Sequence, residues 1–300
     1  MRLIFLGTPE FAVPTLERIV AAKHEVVAVF TQPDRPKGRG QKDAMPPVKE
    51  AALRLGVPVF QPERIRRAEV VEQLRAMAPE AMVVVGYGQI IPQAILDIPA
   101  RGIINVHASL LPKYRGAAPI QWAIARGETR TGVTTMRIDA GLDTGDMLLK
   151  WETDIGPEET ALELGPRLAA AGADLLVKTL AELPIIQPEP QDDSQATYAP
   201  ILKKEDGHID WSLSAREILN RIRGLVPWPG CYGFLNGLRL HIWKARTAET
   251  DFPGGAVRVV NRRLFAGSIE LLEVQLEGKK RMAASAFLNG ITLQGNEVLA

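Results

Sequence analysis

Short runs rich in valine and isoleucine alternate with helix-like segments along the first half of the sequence. The runs are bounded by glycine, proline or polar residues, which is typical of strands. Strands that alternate with helices favour a parallel, doubly wound sheet, because a parallel connection needs a crossover segment. The predicted strands are Arg2–Gly7, Glu25–Thr31, Val57–Gln61, Ala81–Tyr87, Gly102–Ser109, Gly132–Asp139 and Met147–Ile155, and the predicted helices are Phe11–Ala22, Pro47–Leu55, Arg66–Met77 and Glu159–Leu180.

The composition changes after the last of these helices. The stretch LPIIQPEPQDDSQATYAP, residues 183–200, is rich in proline and polar residues and lacks periodicity, as in an extended linker. A helix at Ser214–Arg223 and short strands with glycine turns follow, which predicts a small β-barrel. Those strands are Leu238–Ala245, Ala256–Val260, Ile269–Leu276 and Ile291–Leu293. We therefore expect a Rossmann-like α/β domain over 1–188, a linker over 189–206 and a smaller OB-like β-barrel domain over 207–300.

Composition excludes several classes of protein. The single cysteine, Cys231, rules out a disulfide framework within the chain and a cysteine-rich zinc site, and it indicates a reducing, cytoplasmic setting. No apolar run approaches the ~20 residues of a membrane span, and the N-terminus is predicted to be a first strand, not a signal peptide. The net charge of +1 means that nucleic-acid binding can be argued only from local patches.

Three glycine-containing segments resemble phosphate-binding loops but lack the required spacing. Gly7 follows the first strand without a G-x-G-x-x-G motif. Gly38 and Gly86 each begin that spacing, but Asp43 and Ile91 occupy its last position. Since no P-loop is present either, we expect no nucleotide cofactor.

Polar residues interrupt the most strand-like segment at its carboxyl end. Asn105 and His107 are two residues apart, so their side chains share one face of the strand. Open parallel sheets bind ligands outside the carboxyl ends of their strands. The later segment DAGLDTGD, residues 139–146, could bring one of its carboxylates to the same edge. An amide, an imidazole and a carboxylate together suit acyl transfer, with oxyanion stabilisation and proton transfer at a tetrahedral intermediate.

His107 could also have one of two other roles. The simplest is a structural role, in which a buried histidine is hydrogen-bonded to backbone groups. Asn105 and the turn SLLPKYRG, residues 109–116, favour a functional role instead. Metal binding is disfavoured because there is no second nearby histidine and no H-E-x-x-H motif. We therefore expect no metal.

The motifs NVHASLLP (105–112), YRG (114–116) and DAGLDTGD (139–146) resemble the signature of the folate-dependent formyltransferase family. The resemblance implies that Asn105, His107 and Asp143 are catalytic. It also implies that 10-formyltetrahydrofolate, the formyl-donor cosubstrate, is held by three segments. The residues concerned are Ser109, Leu110, Leu111 and Pro112; Gly86, Tyr87, Gly88, Gln89, Ile90 and Ile91; and Asp139 and Gly141.

Further stretches are similar to the branch of this family whose acceptor is methionyl initiator tRNA. They are IFLGTPEFAVPTLE (4–17), TQPDRPKGRGQK (31–42), TYA (197–199), GHIDW (207–211) and PWPG (227–230). The resemblance implies formylation of the α-amino group of methionyl initiator tRNA, with Arg39 as the key contact near the acceptor stem. The basic loop offers Arg35, Lys37, Arg39 and Lys42 to phosphates and exposed bases. The C-terminal barrel is expected to bind tRNA as well, and the protein to be a monomer.

Three alternatives stay open at this point. A formyltransferase for a small-molecule amine, such as glycinamide ribonucleotide or an amino sugar, would share the three polar residues without using the basic loop. A nucleotide-dependent oxidoreductase would need a phosphate loop that the sequence lacks. A catalytically inactive RNA-binding protein would leave Asn105 and His107 unexplained.

Overall fold

The chain forms two compact units in a computed structural model that describes residues 1–37 and 42–300. The N-terminal unit comprises Met1–Ala117, Thr131–Thr153 and Gly165–Ala199. The C-terminal unit comprises Ala118–Arg130, Asp154–Leu164 and Pro200–Ala300. Among the described residues, no helix is both long enough and apolar enough to cross a membrane.

Fifteen strands and eight α-helices follow one another along the described parts of the chain. The strands are β1 (Arg2–Gly7), β2 (Glu25–Phe30), β3 (Arg35–Lys37), β4 (Lys42–Ala44), β5 (Val59–Phe60), β6 (Ala81–Val85), β7 (Ile103–His107), β8 (Arg130–Arg137), β9 (Met147–Asp154), β10 (Cys231–Leu235), β11 (Leu238–Thr247), β12 (Val257–Val260), β13 (Arg263–Ala266), β14 (Ile269–Leu276) and β15 (Met282–Ala283). The helices are α1 (Val13–Ala21), α2 (Pro47–Arg54), α3 (Ala68–Ala76), α4 (Gln93–Leu96), α5 (Pro119–Ala125), α6 (Ala161–Glu182), α7 (Ala215–Gly224) and α8 (Ala284–Leu288).

The sheet of the N-terminal unit has the strand order β5-β2-β1-β6-β7-β8-β9. The strands from β5 to β7 pair in parallel, and every residue of β6 and β7 is buried. Such continuous burial is what the apolar run Val83-Val84-Val85 predicts for a central strand of a parallel sheet. The predicted α/β fold class is confirmed.

The pair formed by β7 and β8 departs from the parallel arrangement of β5 to β7. β8 runs antiparallel to β7, with Ile104 opposite Arg137 and His107 opposite Thr134. The carboxyl end of β8 therefore lies beside the amino end of β7. The segment that follows β8 leaves the sheet at the opposite end from His107.

The C-terminal unit is built on an antiparallel sheet with the order β10-β11-β14-β13-β12, and β15 pairs with β14. The sheet curls into a half-barrel, so the prediction of a small β-barrel-like domain is confirmed. The strand predicted at Ile291–Leu293 is wrong, because these residues are irregular. Their alternating apolar pattern has no neighbouring strand with which to pair among the described residues.

Two early segments of the chain belong to the C-terminal unit. Helix α5 packs against α7, and the Arg223 guanidinium donates to the carbonyl oxygens of Gly156 (2.9 Å) and Glu159 (3.1 Å). Conversely, residues 189–199 belong to the N-terminal unit. Glu189 bridges to Met147, and Tyr198 bridges to Arg115. Much of the predicted linker is therefore hydrogen-bonded to the N-terminal unit, and the predicted boundaries at 188 and 206 stay a prediction.

Candidate active site

Strand β7 holds Asn105 and His107 on one face at its carboxyl end. Both side chains are largely buried, with 9% of Asn105 and 5% of His107 exposed. A buried amide or imidazole needs hydrogen-bond partners, because an unmet polar group costs about 1–3 kcal/mol. The partners of these two side chains therefore define the site.

The His107 ring has one nitrogen committed to the backbone. Its Nε2–H donates to the carbonyl oxygen of Tyr114 at 2.9 Å. A carbonyl oxygen can only accept, so a neutral His107 carries its proton on Nε2 and keeps the Nδ1 lone pair. Tyr114 has a left-handed backbone (φ 62°), and its N–H donates to Thr197 Oγ1 at 2.9 Å.

The Asp143 carboxylate lies against both side chains of β7. Its Oδ2 is 3.6 Å from His107 Nδ1, and its Oδ1 accepts from Asn105 Nδ2 at 3.4 Å. The Gly116 N–H also donates to Oδ2 at 2.8 Å. Asp143 adopts a left-handed backbone (φ 53°), which is uncommon for residues other than glycine. The structure thus brings Asn105, His107 and Asp143 together around one point.

The segment 139–146 reaches this point by folding back along the sheet. The residue before this segment is Ile138, whose N–H donates to the Ile103 carbonyl at 2.9 Å. Ile103 is at the amino end of β7. The last residue of the segment, Asp146, accepts from the Arg137 N–H at 2.9 Å. We call residues 139–146 the aspartate loop. Its tip must extend along the length of β7 for Asp143 to contact His107.

The segment 86–91 follows β6 and exposes backbone and apolar side chains. Gly86 (φ 57°) and Gly88 (φ 84°) both have left-handed conformations. Gln89 is occupied within the fold, because its amide accepts from the Ile65 N–H and donates to the Pro62 carbonyl. Ile90 is 89% exposed. Backbone groups and Ile90 are therefore the parts of this segment that a ligand could contact.

The Tyr87 side chain lies in the apolar core, not at the surface. It is 1% exposed, and its hydroxyl has no hydrogen-bond partner among the described residues. This burial raises the pKa of the Tyr87 phenol. Its carbonyl oxygen accepts from Thr8 Oγ1 (3.0 Å) and Gln32 Nε2 (3.1 Å). Any contact of Tyr87 with a ligand must come through its backbone.

The segment 109–112 is fixed by its own hydrogen bonds. Ser109 Oγ donates to the Lys113 carbonyl at 2.6 Å, and Thr134 Oγ1 donates to the Ser109 carbonyl at 2.7 Å. The Leu111 N–H donates to the same Thr134 hydroxyl at 3.2 Å. Leu111 is buried, Leu110 is half-buried and the bond from Leu111 to Pro112 is cis. The hydrogen bonds of Ser109 and Thr134 thus hold the turn as a wall beside the carboxyl end of β7.

The outer part of the aspartate loop has its own internal bonds. Asp139 Oδ1 accepts from the Gly141 N–H (3.0 Å) and from Thr144 Oγ1 (2.8 Å). Leu142 is 60% exposed. An exposed leucine and an exposed isoleucine thus occur on two of the three segments predicted to hold the folate.

The family models match both parts of the chain. The model described as formyl transferase matches residues 1–180, and the model described as formyl transferase, C-terminal domain, matches residues 201–292. The chain belongs to the formyl transferase family. The family predicted from the motifs at 105–116 and 139–146 is confirmed.

Curated relatives of this formyl transferase are similar over their whole length. It is 64% identical to a methionyl-tRNA formyltransferase of Solibacter usitatus, covering 100% of this chain and 98% of the relative. It is 58% identical to a methionyl-tRNA formyltransferase of Koribacter versatilis, covering 97% and 96%. Its fold is similar to a solved N-formyltransferase of Helicobacter canadensis in complex with folinic acid and dTDP-3-aminofucose. That TM-score is 0.66 at 19% identity, over 93% of this chain and 99% of the other.

Three of the four predicted tRNA-contacting residues of this formyl transferase lie on the short strands β3 and β4. β3 pairs antiparallel with β4, placing Lys37 opposite Lys42, and Arg35 is exposed. Arg39 lies outside the described residues. The neighbouring Asp34 accepts from Lys49 Nζ (2.6 Å) and Gln61 Nε2 (2.7 Å), and the first and then the second of these bonds lower the pKa of Asp34. The acid next to the basic segment is thus already paired.

Several groups at the site were not singled out from the sequence. The Tyr114 carbonyl and the Gly116 N–H are backbone groups whose direction no side-chain pattern gives, although YRG was part of the family motif. Gln191, in the predicted linker, contacts the aspartate loop. Arg115, in the turn, contacts Gln191. Among the described residues, no cluster of three or more histidine, cysteine or acidic side chains could hold a metal ion.

Proposed function

We propose that this protein transfers the formyl group of 10-formyltetrahydrofolate to the α-amino group of methionyl initiator tRNA. The observation that carries the proposal is the convergence of Asn105, His107 and Asp143 in a family member. The full-length similarity to relatives named methionyl-tRNA formyltransferase supports this acceptor. We also propose that the protein acts in the cytoplasm as a monomer.

His107 has the role of base in this proposal. The bond to Tyr114 reserves Nε2 as a donor, so Nδ1 is the nitrogen that accepts the proton of the attacking amine, directly or through water. Asp143, 3.6 Å from Nδ1, stabilises the resulting imidazolium. In the balanced reaction, the amine nitrogen bonds to the formyl carbon and the bond from that carbon to N10 of the folate breaks. The proton lost by the amine ends on that departing nitrogen.

Asn105 has the role of oxyanion donor. One hydrogen of its amide is directed to Asp143 Oδ1, which fixes the amide's orientation. The second hydrogen can donate to the formyl oxygen as negative charge develops there. A preorganised donor of this kind in a buried site stabilises the transition state more than the ground state.

The three loop segments fit a flat, partly apolar formyl donor. Ile90 and Leu142 are exposed apolar side chains, and Gly86 and Gly88 leave backbone groups accessible. We propose that the donor lies between the segment 86–91, the wall 109–112 and the aspartate loop. Asp139 and Gly141 would then contact the side of the donor that faces the aspartate loop. Since the Gln89 amide already has partners inside the fold, the donor contacts the Gln89 backbone instead. Ser109 is buried, with its hydroxyl and carbonyl both hydrogen-bonded, so it supports the wall against which the donor is proposed to lie.

The acceptor is proposed to contact the basic segment and the C-terminal domain. Arg35, Lys37, Arg39 and Lys42 would contact phosphates or exposed bases at the RNA end. The functional domains are proposed to be 1–188 for catalysis, 189–206 for linkage and 207–300 for tRNA binding. The separate family matches over 1–180 and 201–292 support a two-part arrangement.

A competition between acceptors tests the proposal. The purified protein is incubated with 10-formyltetrahydrofolate and methionyl initiator tRNA, glycinamide ribonucleotide or a nucleotide-linked amino sugar. Formylated products are then measured by mass spectrometry, with His107→Gln as the inactive control. We expect formylmethionine from the tRNA and no formylated small amine. Formylation of a small amine in preference to the tRNA would contradict the proposed acceptor.

A further inference from the structure

The aspartate loop needs external anchors because of the direction in which its flanking strands run. The loop leaves β8 at the amino end of β7 and returns beside the same end. Its tip must nevertheless hold Asp143 against His107, with Asp143 in a left-handed backbone conformation (φ 53°). A residue at the tip of such a loop keeps one position only if several contacts fix it.

The Gln191 side chain supplies two of these contacts. Its Nε2 donates to the Asp143 carbonyl at 2.8 Å and to the Gly145 carbonyl at 2.8 Å. Both hydrogens of the amide therefore bond to carbonyl oxygens of the loop, which belong to the residues on either side of Thr144. These bonds act on the backbone of Asp143 and do not involve its carboxylate.

Arg115 fixes the orientation of the Gln191 amide. Its Nε and Nη2 donate to Gln191 Oε1 at 3.0 and 2.9 Å. Because arginine can only donate, the oxygen of the amide must face Arg115 and the nitrogen must face the loop. Arg115 is 2% exposed, and its Nη2 also donates to Asp193 Oδ1 at 2.7 Å. Both the guanidinium and the amide thus have one defined arrangement.

The same turn holds the other side of Asp143. Gly116, next to Arg115, donates its N–H to Asp143 Oδ2 at 2.8 Å. The carboxylate is held by the Gly116 backbone, and the main chain of Asp143 is held through Gln191 by the Arg115 side chain. This two-sided arrangement fixes the carboxylate relative to His107 without any contact between Gln191 and the imidazole.

We propose that Gln191 is a positioning residue for Asp143, so that a residue of the predicted linker sets the geometry of catalysis. The inference rests on the proposed function of Asp143. Its consequence is a selective effect on the chemical step. Loss of the Gln191 contacts displaces the carboxylate, and a displacement of about 1 Å at a catalytic group costs up to about 100-fold in rate. Binding of either substrate, which Gln191 does not contact in this proposal, is retained.

Two variants of Gln191 test the proposal. Gln191→Glu has nearly the same shape and still accepts from Arg115, but its second oxygen faces two carbonyl oxygens and cannot donate to them. Gln191→Met removes both kinds of bond. The matched controls are Gln195→Glu and Gln195→Met, because Gln195 is on the same segment and its amide donates to the nearby Asp192.

Steady-state kinetics with methionyl initiator tRNA and 10-formyltetrahydrofolate provide the measurement. We expect both Gln191 variants to lower kcat about 10- to 100-fold while both KM values change less than about threefold. The Gln195 variants keep the kcat of the unmodified protein. An unchanged kcat in Gln191→Met overturns the proposal. The proposal is also overturned if both Gln191 variants lose thermal stability and show changes in kcat and in KM together. Failure of the unmodified protein to formylate the tRNA would instead contradict the proposed function.

Discussion

His107 donates its Nε2 hydrogen to the carbonyl oxygen of Tyr114 across 2.9 Å, and Tyr114 itself holds a left-handed backbone conformation. The two residues are only seven positions apart, so the turn between them returns the chain to the ring of the histidine. This bond decides which tautomer a neutral His107 adopts and leaves Nδ1 facing Asp143. The turn is thus part of the proposed catalytic apparatus, because a backbone oxygen in it orients the histidine.

Two substitutions of His107 separate its structural bond from its proposed chemistry. The amide nitrogen of Gln can replace Nε2 as a donor to Tyr114, whereas the shorter Asn cannot reach that carbonyl. We expect His107→Gln to retain the unfolding midpoint and lose about 10²- to 10⁴-fold in kcat, as for loss of a general base. His107→Asn should lose activity and stability together. Thermal unfolding and kinetics check both variants, and substantial turnover by His107→Gln would exclude His107 as the base.

Asn105 and Asp143 are expected to affect turnover more than folding. Asn105→Ala removes the proposed oxyanion donor, which costs about 10²- to 10³-fold in kcat. Asp143→Asn keeps the size of the side chain but removes the charge beside His107 Nδ1, and kcat should again fall by orders of magnitude. Asp146→Asn, a charge-removing change in the same loop, serves as the control. Near-normal rates in either site variant would remove that residue from the mechanism.

Local sequence patterns predicted the elements of the fold better than their directions. The bounds of Arg2–Gly7 and Ile269–Leu276 agree with the structure residue for residue, because their apolar patterns match their burial. Nothing in the local pattern of β8 encodes that it runs antiparallel to β7, since direction depends on tertiary pairing. The strand expected at Ile291–Leu293 failed for the same reason: alternation is insufficient without a partner strand.

Part of the candidate site could likewise be anticipated from the sequence. Asn105 and His107 were detectable because polar side chains at i and i+2 on a buried strand are unusual. Their proximity to Asp143 followed from the family motif, and their catalytic role stays a prediction. Gln191 gave no signal, because a glutamine in a proline-rich polar stretch resembles any solvated linker residue. Its partners, the carbonyls of Asp143 and Gly145, are defined only by the folded chain.

Gly116 is expected to tolerate no side chain. Its φ of 114° is unfavourable for other residues, and a Cβ there would lie 2.7 Å from the Ala199 carbonyl oxygen. Gly116→Ala should therefore displace the N–H that binds Asp143 and reduce kcat. Gly56→Ala is the matched control, because Gly56 also has a left-handed backbone (φ 69°) but open space around its Cβ position. Comparable kcat values for the two variants would show that the Gly116 contact does not matter for turnover.

Arg39 is expected to act on the RNA substrate alone. Arg39→Ala should raise the KM for methionyl initiator tRNA and leave the KM for the formyl donor unchanged. The magnitude of the slope of log affinity against log salt concentration should fall by about 1, which corresponds to the loss of one phosphate contact. Arg75→Ala removes an exposed arginine that pairs with Glu72 and is the control for net charge. Titrations of tRNA binding at several salt concentrations provide the measurement. An equal loss of binding in both variants would indicate a nonspecific effect of charge.

Glu270 is expected to make the stability of the C-terminal unit depend on pH. Its side chain is 6% exposed and accepts hydrogen bonds from Arg263 and from Arg246 Nε, the latter at 2.6 Å. The bond from Arg263 and then that from Arg246 lower the pKa of Glu270 to about 2. In the unfolded chain this carboxyl titrates near its ordinary value of about 4.3. The folded state thus binds fewer protons than the unfolded state between these two values.

The sign of the effect follows from that difference in protons. The stabilisation by Glu270 is complete above about pH 4.5 and is lost as the pH falls toward about 2. Glu270→Gln should lower the free energy of unfolding at pH 7 by about 1–3 kcal/mol, because charged hydrogen bonds become neutral ones. It should also flatten the pH dependence of stability below about pH 4.5. Glu273→Gln, which alters a more exposed pair with Arg281, is the control for acidic charge. Denaturant unfolding at a series of pH values measures both effects. If the free energy of unfolding of Glu270→Gln equals that of the unmodified protein and varies with pH in the same way, this carboxylate does not stabilise the fold.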